Sequence, residues 1–211
     1  MTRARGLEVI LIHAPTAMAG TTIHAPTAMA GTTILRRGPL PEAASHPGMA
    51  PPRTDGMSIQ SVWDYPRPPR VESVAERIRA VVDGLTIADT LHAQRVLETS
   101  HPPVYYLPRE DVRMDLLVSG QGGSVCEWKG RATYLTLELP GRRIVDIAWA
   151  YERPLAGYES IAGHLAFYAS KLDEAWVGSE RATSQPGGFY GGWVTADIVG
   201  PFKGGPGSLG W

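Results

Sequence analysis

The sequence predicts a mainly β protein: one compact domain of antiparallel strands with a single short helix, over residues 57–184. Three turns carry that prediction, each set between extended segments. Asp83-Gly84 joins Ile78–Val82 to Leu85–Asp89, and both turn residues tolerate the positive φ of a tight hairpin. Pro140-Gly141 joins Arg131–Leu139 to Arg142–Tyr151. Gly178-Ser179 joins Glu174–Val177 to Arg181–Thr183.

The first hairpin sets Ile78, Ala80 and Val82 against Arg79, Val81 and Asp83 on opposite faces. Arg95–Thr99 and Val104–Leu107 read as two extended pieces bent around Pro102 and Pro103. Pro108 opens a single helical turn, with Arg109, Glu110 and Asp111 at its start, where carboxylates meet the positive end of the helix dipole. In the second hairpin Thr133, Leu135, Leu137 and Leu139 share one face, and Tyr134, Thr136 and Glu138 the other. Its partner groups Val145, Ile147, Trp149 and Tyr151. Leu155–Gly163 is the segment suited to the short helix, and His164–Tyr168 resumes as a strand.

The two ends differ from this body. The chain holds 24 Gly and 18 Pro, concentrated toward its termini. Ile12–Thr22 reads IHAPTAMAGTT and Ile23–Thr33 repeats it without a change. Solenoid units drift apart and number at least three, so a recent duplication is the simpler account. Residues 1–56 are expected to be disordered, and Met57 is a candidate natural start that would make them an over-extended reading frame, with translation of residues 1–56 the open alternative. From Gln185 the chain is rich in Gly, Pro and aromatics, and residues 185–211 are expected to lie over the domain in extended form.

Composition excludes several functions. A net charge of -1 offers no excess positive charge for a nucleic-acid backbone, so nucleic acid is not an expected partner. One cysteine excludes an intrachain disulfide and a multi-cysteine zinc site. No apolar run reaches the ~18 residues of a membrane span. Arg3 and Arg5, then LEVILI, then Ala17-Met18-Ala19 imitate a secretory signal, but the apolar run is short and holds Glu8. A cytoplasmic protein with neither membrane nor cofactor partner is expected.

Two constellations could carry chemistry. Cys126 and Lys129 form the sharper one, because an ammonium lowers a thiol pKa, although Glu127 acts the other way. The plainer reading of Cys126 is a small buried hydrophobe. The second gathers His101, Tyr105, Tyr106, Arg109, Asp111 and Asp115. Alternation sends Tyr105 and Tyr106 to opposite faces, and Asp111 and Asp115 share a face only in a helix. An acid/base pair of Asp111 and Arg109 competes there with a plain ion pair and helix capping. Glu98, three residues before His101, could join this group. His164 reads as a backbone-bonded residue, and no HxH, HExxH or paired CxxC asks for a metal.

WDYPRPPR at 63–70, the run from Glu98 to Leu117, WKG at 128–130, AWAY at 148–151 and GHLAFY at 163–168 occur in one order. In these the chain resembles the small bacterial proteins called domain of unknown function 427, over about residues 62–211. The resemblance implies a fold like the β-tent of methionine sulfoxide reductase B. Many domains of that fold hold zinc through paired cysteines, which one cysteine cannot supply. The family usually has proline where Glu127 stands. It has also been labelled nucleotidyltransferase, which implies a Gly-Ser turn followed by paired carboxylates. Gly123-Ser124 supplies the turn, but VCEWKGRATYLTLELPG holds no D-x-D or D-x-E, and GPFKGGPG lacks the GK[ST] of a P-loop.

The leading expectation is a metal-free β domain that binds a small organic ligand through His101, Tyr105, Arg109, Asp111, Cys126, Lys129 and Trp149. Two alternatives stand beside it. One is an enzyme acting on such a ligand through Cys126 and Lys129 or through Asp111 and Arg109. The other is a structural or interaction module whose aromatic tail docks on a second subunit, as in a homodimer.

Overall fold

A computed structural model describes residues 58–208. The expected disorder, duplication and alternative start of residues 1–57 lie outside the described residues, as do the last three of the tail. The strands are β1 (Gln60–Ser61), β2 (Arg70–Ser73), β3 (Ile78–Val82), β4 (Leu85–Thr90), β5 (Gln94–Glu98), β6 (His101–Leu107) and β7 (Leu117–Cys126). They continue with β8 (Gly130–Leu139), β9 (Arg142–Ala150), β10 (Leu165–Phe167), β11 (Glu174–Val177), β12 (Glu180–Ser184), β13 (Trp193–Val194) and β14 (Ile198–Val199). The protein is mainly β, and among the described residues helical content is confined to 3-10 turns of three residues each. Among the described residues no helix is long and apolar enough to cross a membrane.

Seven strands form an antiparallel sheet in the order β2-β5-β6-β10-β9-β8-β7, and five form a second in the order β13-β12-β11-β3-β4. β1 and β14 make a short parallel pair. The expected turns close their hairpins: Asp83 and Gly84 take φ of 51° and 72°, and Gly141 and Gly178 take 77° and 59°.

One apolar cluster joins the two sheets. β3 and β4 contribute Ile78, Val82 and Ile87, and the larger sheet contributes Tyr105, Leu107, Leu137, Leu165 and Phe167. Trp193 of β13 enters the same cluster with 0% of its surface exposed. Its indole N–H donates to the Phe167 carbonyl at 2.9 Å, which satisfies the one polar atom the ring brings into the core. A second cluster lies on the other face of the larger sheet, around Val96, Tyr106, Trp149, Tyr151 and Ala166.

Three local expectations are corrected. β6 runs unbroken through Pro102 and Pro103. Its register with β5 shifts between Val96 and Glu98, and β10 pairs only with Tyr106 and Leu107, so the ladder makes little use of the N–H groups the prolines lack. In β9 the alternation breaks at Asp146, whose φ is 52°, where the register with β8 shifts between Leu135 and Leu137. Val145 is therefore 55% exposed, Ile147 joins the inter-sheet core, and Trp149 and Tyr151 fall in the second cluster. Leu155–Gly163 holds only the 3-10 turn Glu159–Ile161, because Gly157 and Gly163 take φ of 93° and 70°, which a helix cannot contain.

Trp193→Ala removes a fully buried indole and leaves the Phe167 carbonyl unpartnered. A loss of about 3–5 kcal/mol in unfolding free energy is expected from urea denaturation. A loss below about 1 kcal/mol would show that the core closes without the tail.

Candidate functional site: an aromatic cleft

The outer face of the seven-stranded sheet is not filled by side chains. It forms a cavity of about 410 Å³. Its floor comes from alternate residues of the central strands: Val96 and Glu98 of β5, Val104 and Tyr106 of β6, Tyr134 of β8 and Trp149 of β9. Tyr151 and Tyr168, just beyond β9 and β10, extend it. The β7–β8 turn forms one wall with Cys126, Glu127, Trp128 and Lys129, and the segment after β12 forms another with Gln185, Tyr190, Gly191 and Lys203. The rings contact one another: Trp149 and Tyr168 at 4.5 Å between centroids, Tyr106 edge-on to Trp149 at 6.3 Å, and His101 edge-on to Tyr190 at 4.7 Å.

Two glycines let the tail reach this place. A Cβ on Gly191 would stand 2.0 Å from the Trp149 ring, and one on Gly192 would stand 2.5 Å from Gln185 Oε1 and 2.9 Å from the Pro102 carbonyl oxygen. Backbone thus lies directly on the indole. Gln185 is buried and ties the two tail limbs together, donating from Nε2 to the Lys203 carbonyl at 2.8 Å and accepting from Gly192 N–H at 3.2 Å.

The cleft also buries charge. Lys129 is 7% exposed, and its Nζ stands 3.6 Å from Glu98 Oε2, whose side chain is 18% exposed. Removing either partner would strand an unpaired charge in a poorly solvated place. His101 Nδ1 lies 3.0 Å from the Thr99 carbonyl. A carbonyl can only accept, so Nδ1 carries the proton and the neutral ring presents Nε2 as an acceptor. Burial holds the His101 pKa below the usual histidine range; the Thr99 bond and Glu98 oppose it, and Lys203 and Lys129 add to it. Burial likewise pushes the Tyr106 and Tyr151 hydroxyls well above the usual phenol range, so both stay protonated. At the rim Arg67 pairs with Glu127 at 2.5 Å and lies 5.8 Å from the Trp128 ring. The acid next to Cys126 is therefore turned toward Arg67.

Residues 70–178 match the family model described as Domain of unknown function (DUF427). The chain belongs to the DUF427 family. No curated protein matches it.

In this DUF427 chain four of the seven residues expected from sequence line the cleft: His101, Cys126, Lys129 and Trp149. The other three lie elsewhere. Tyr105 points to the opposite face of β6 and packs on Trp193 at 5.4 Å. Arg109 donates to the Gly163 carbonyl at 2.7 Å and pairs with Glu152. Asp111 accepts from the Thr90 hydroxyl at 2.6 Å, so the expected Asp111 and Arg109 pair does not form. Arg109 and Asp111 lie in one 3-10 turn, Arg109–Asp111, and Asp115 lies in the next, Met114–Leu116, where it pairs with Arg113. His164 bonds the Ala162 carbonyl at 3.2 Å.

Sequence reasoning missed Tyr134, Tyr168, Gln185, Tyr190 and Lys203, and it weighed Tyr106 without carrying it into the ligand-binding set. The alternation of β6 put Tyr105 and Tyr106 on opposite faces but did not say which face would stay open. Gln185, Tyr190 and Lys203 lie beyond the matched span, and only the glycine and aromatic composition of that segment signals them.

The buried neutral His101 gives stability a defined pH dependence. Its folded pKa lies below the ordinary 6.5, so the unfolded chain takes the proton more readily. Its contribution is complete above about pH 6.5 and is lost as pH falls through the folded value. The stability difference between the wild type and His101→Gln should therefore be larger at about pH 7.5 than at about pH 5 in denaturant titrations. An equal difference at both would contradict burial of a neutral ring.

Proposed function

We propose that this DUF427 protein binds a small, planar aromatic molecule in the cleft lined by Trp149, Tyr168, Tyr134 and Tyr106, beside the point where the tail segment crosses Trp149. The observation that carries the reading is the cavity of about 410 Å³, whose aromatic floor adjoins the buried Lys129 and Glu98 pair. Protein interiors are close-packed, and a space of this size lies in the range of small-molecule sites, roughly 300–1,000 Å³. A mostly apolar wall with a few convergent polar groups is the composition such sites have. Ring-on-ring contact would supply the affinity, and the Lys129 ammonium, the Glu98 carboxylate and His101 Nε2 would orient polar substituents.

A catalytic reading draws support from a different observation. Cys126, the one thiol of the chain, is half-buried in the cleft wall and close enough to Tyr151 to act on its hydroxyl. On that reading the thiol would attack a bound electrophile, with Lys129 three residues away.

Both readings are tested on one protein. A panel of planar aromatic compounds should contain members that raise the melting temperature, with about 2.7 kcal/mol of stabilisation at a hundredfold excess over Kd. Cys126→Phe, which fills the wall, should abolish that rise. If no compound stabilises the wild type, the binding reading falls. The catalytic reading expects alkylation of Cys126 by iodoacetamide at neutral pH that a stabilising compound blocks, and a thiol inert to the reagent would remove it.

A further inference from the structure

The charges around the cleft do not balance, and the imbalance selects among aromatic ligands. Of the cationic side chains that line it, Lys129 is matched by Glu98 at 3.6 Å and Arg67 by Glu127 at 2.5 Å. Lys203 lines the same space, and its ammonium has no ion-pair partner among the described residues. With His101 neutral, the lining carries one positive charge in excess.

That charge is held in place through the backbone. The Lys203 N–H donates to the Ser100 carbonyl at 2.9 Å, and the Lys203 carbonyl accepts from the buried Gln185 amide at 2.8 Å. The residue is thereby fastened beside His101, the neighbour of Ser100. Its Nζ stands 6.0 Å from the centroid of Tyr190, the ring that meets His101 edge-on at 4.7 Å. Lys129, Glu98 and Lys203 all line the cavity around the His101 ring, and the Lys129 and Glu98 charges are paired with each other. Trp149 and Tyr168, 4.5 Å apart, form an aromatic surface on the same cavity.

From this polarity, and resting on the binding function proposed above, we infer that the ligand is an aromatic monoanion whose acid group meets Lys203 beside His101 while its ring lies on Trp149 and Tyr168. A monoanion matches the one lining cation that has no ion pair among the described residues. A dianion would leave one charge in a low-dielectric cleft without a counterion, and a cation would meet Lys203 with like charge.

Three isosteric probes test the inference by calorimetry on the full chain: naphthalene-2-carboxylate, neutral naphthalene-2-methanol and cationic 2-naphthylmethylammonium. The carboxylate should bind at least about tenfold more tightly than the alcohol, and the ammonium compound most weakly. Raising salt from about 50 to about 500 mM should narrow the gap between carboxylate and alcohol. In Lys203→Met the carboxylate should lose about tenfold while the alcohol changes by less than about twofold. The structural bonds of Lys203 are made by its backbone, and Lys203→Gln provides a second variant with a polar end.

The outcomes separate the two levels of argument. An alcohol that binds as tightly as the carboxylate overturns the anion inference and leaves the aromatic cleft standing. A carboxylate preference undiminished in both Lys203 variants overturns the assignment to Lys203. No binding by any of the three at about 1 mM overturns the inference and the proposed function together.

Discussion

The two-residue period of β6, set in a sheet covered on both faces, is the constraint on which the rest of the molecule depends. Successive side chains of a strand point to opposite sides, so a central strand that is apolar or aromatic from Pro102 to Leu107 must bury both of its faces. Tyr105 and Leu107 go to the inter-sheet core, and Val104 and Tyr106 go to the cleft. The same strand thus supplies the fold and the candidate site. Nothing in β6 can shift by one residue without exchanging the two sets.

The tail segment completes both faces. Trp193 plugs the inter-sheet core through β13, while the residues just before it cross the cleft. Such a crossing requires backbone without side chains, because Gly191 lies on the Trp149 indole and Gly192 lies on Gln185 and Pro102. The glycines that make this segment look incapable of structure are therefore what allow it to pack. Its cohesion comes from the domain beneath it. Gln185 supplies the polar bonds that hold the two limbs together, and the indole of Trp193 anchors one of them.

Charge follows the same division. The exposed pairs, such as Arg77 with Asp89 and Arg113 with Asp115, lie in water, where such pairs contribute little to stability. Lys129 and Glu98 are different, since both are largely withdrawn from solvent on the face that leaves a cavity open. A buried pair is seldom a net source of stability, because the cost of taking both charges out of water offsets their attraction.

Much of the secondary structure was legible because it rests on local rules. Asp83-Gly84, Pro140-Gly141 and Gly178-Ser179 announced their hairpins through residues that favour turn geometry, and the strands between them alternate. The errors came where a neighbouring strand overrode the local signal. Pro102 and Pro103 stay in β6 because little of the ladder calls on the hydrogens they lack, and the bulge at Asp146 moves Ile147 away from Trp149. The candidate site was half legible for a related reason. Cys126, Lys129 and Trp149 stand near turn or strand positions that point one way, whereas Arg109 and Asp111 found nearer partners in Gly163 and Thr90. By itself the sequence determined the β class, the hairpins, the family and the opposition of Tyr105 to Tyr106, all of which follow from residue identity and short spacing. Only the tertiary structure decided which face of β6 stays open and that Gln185, Tyr190 and Lys203 close it. Those facts depend on pairings between residues some eighty to a hundred positions apart, and no local period encodes them.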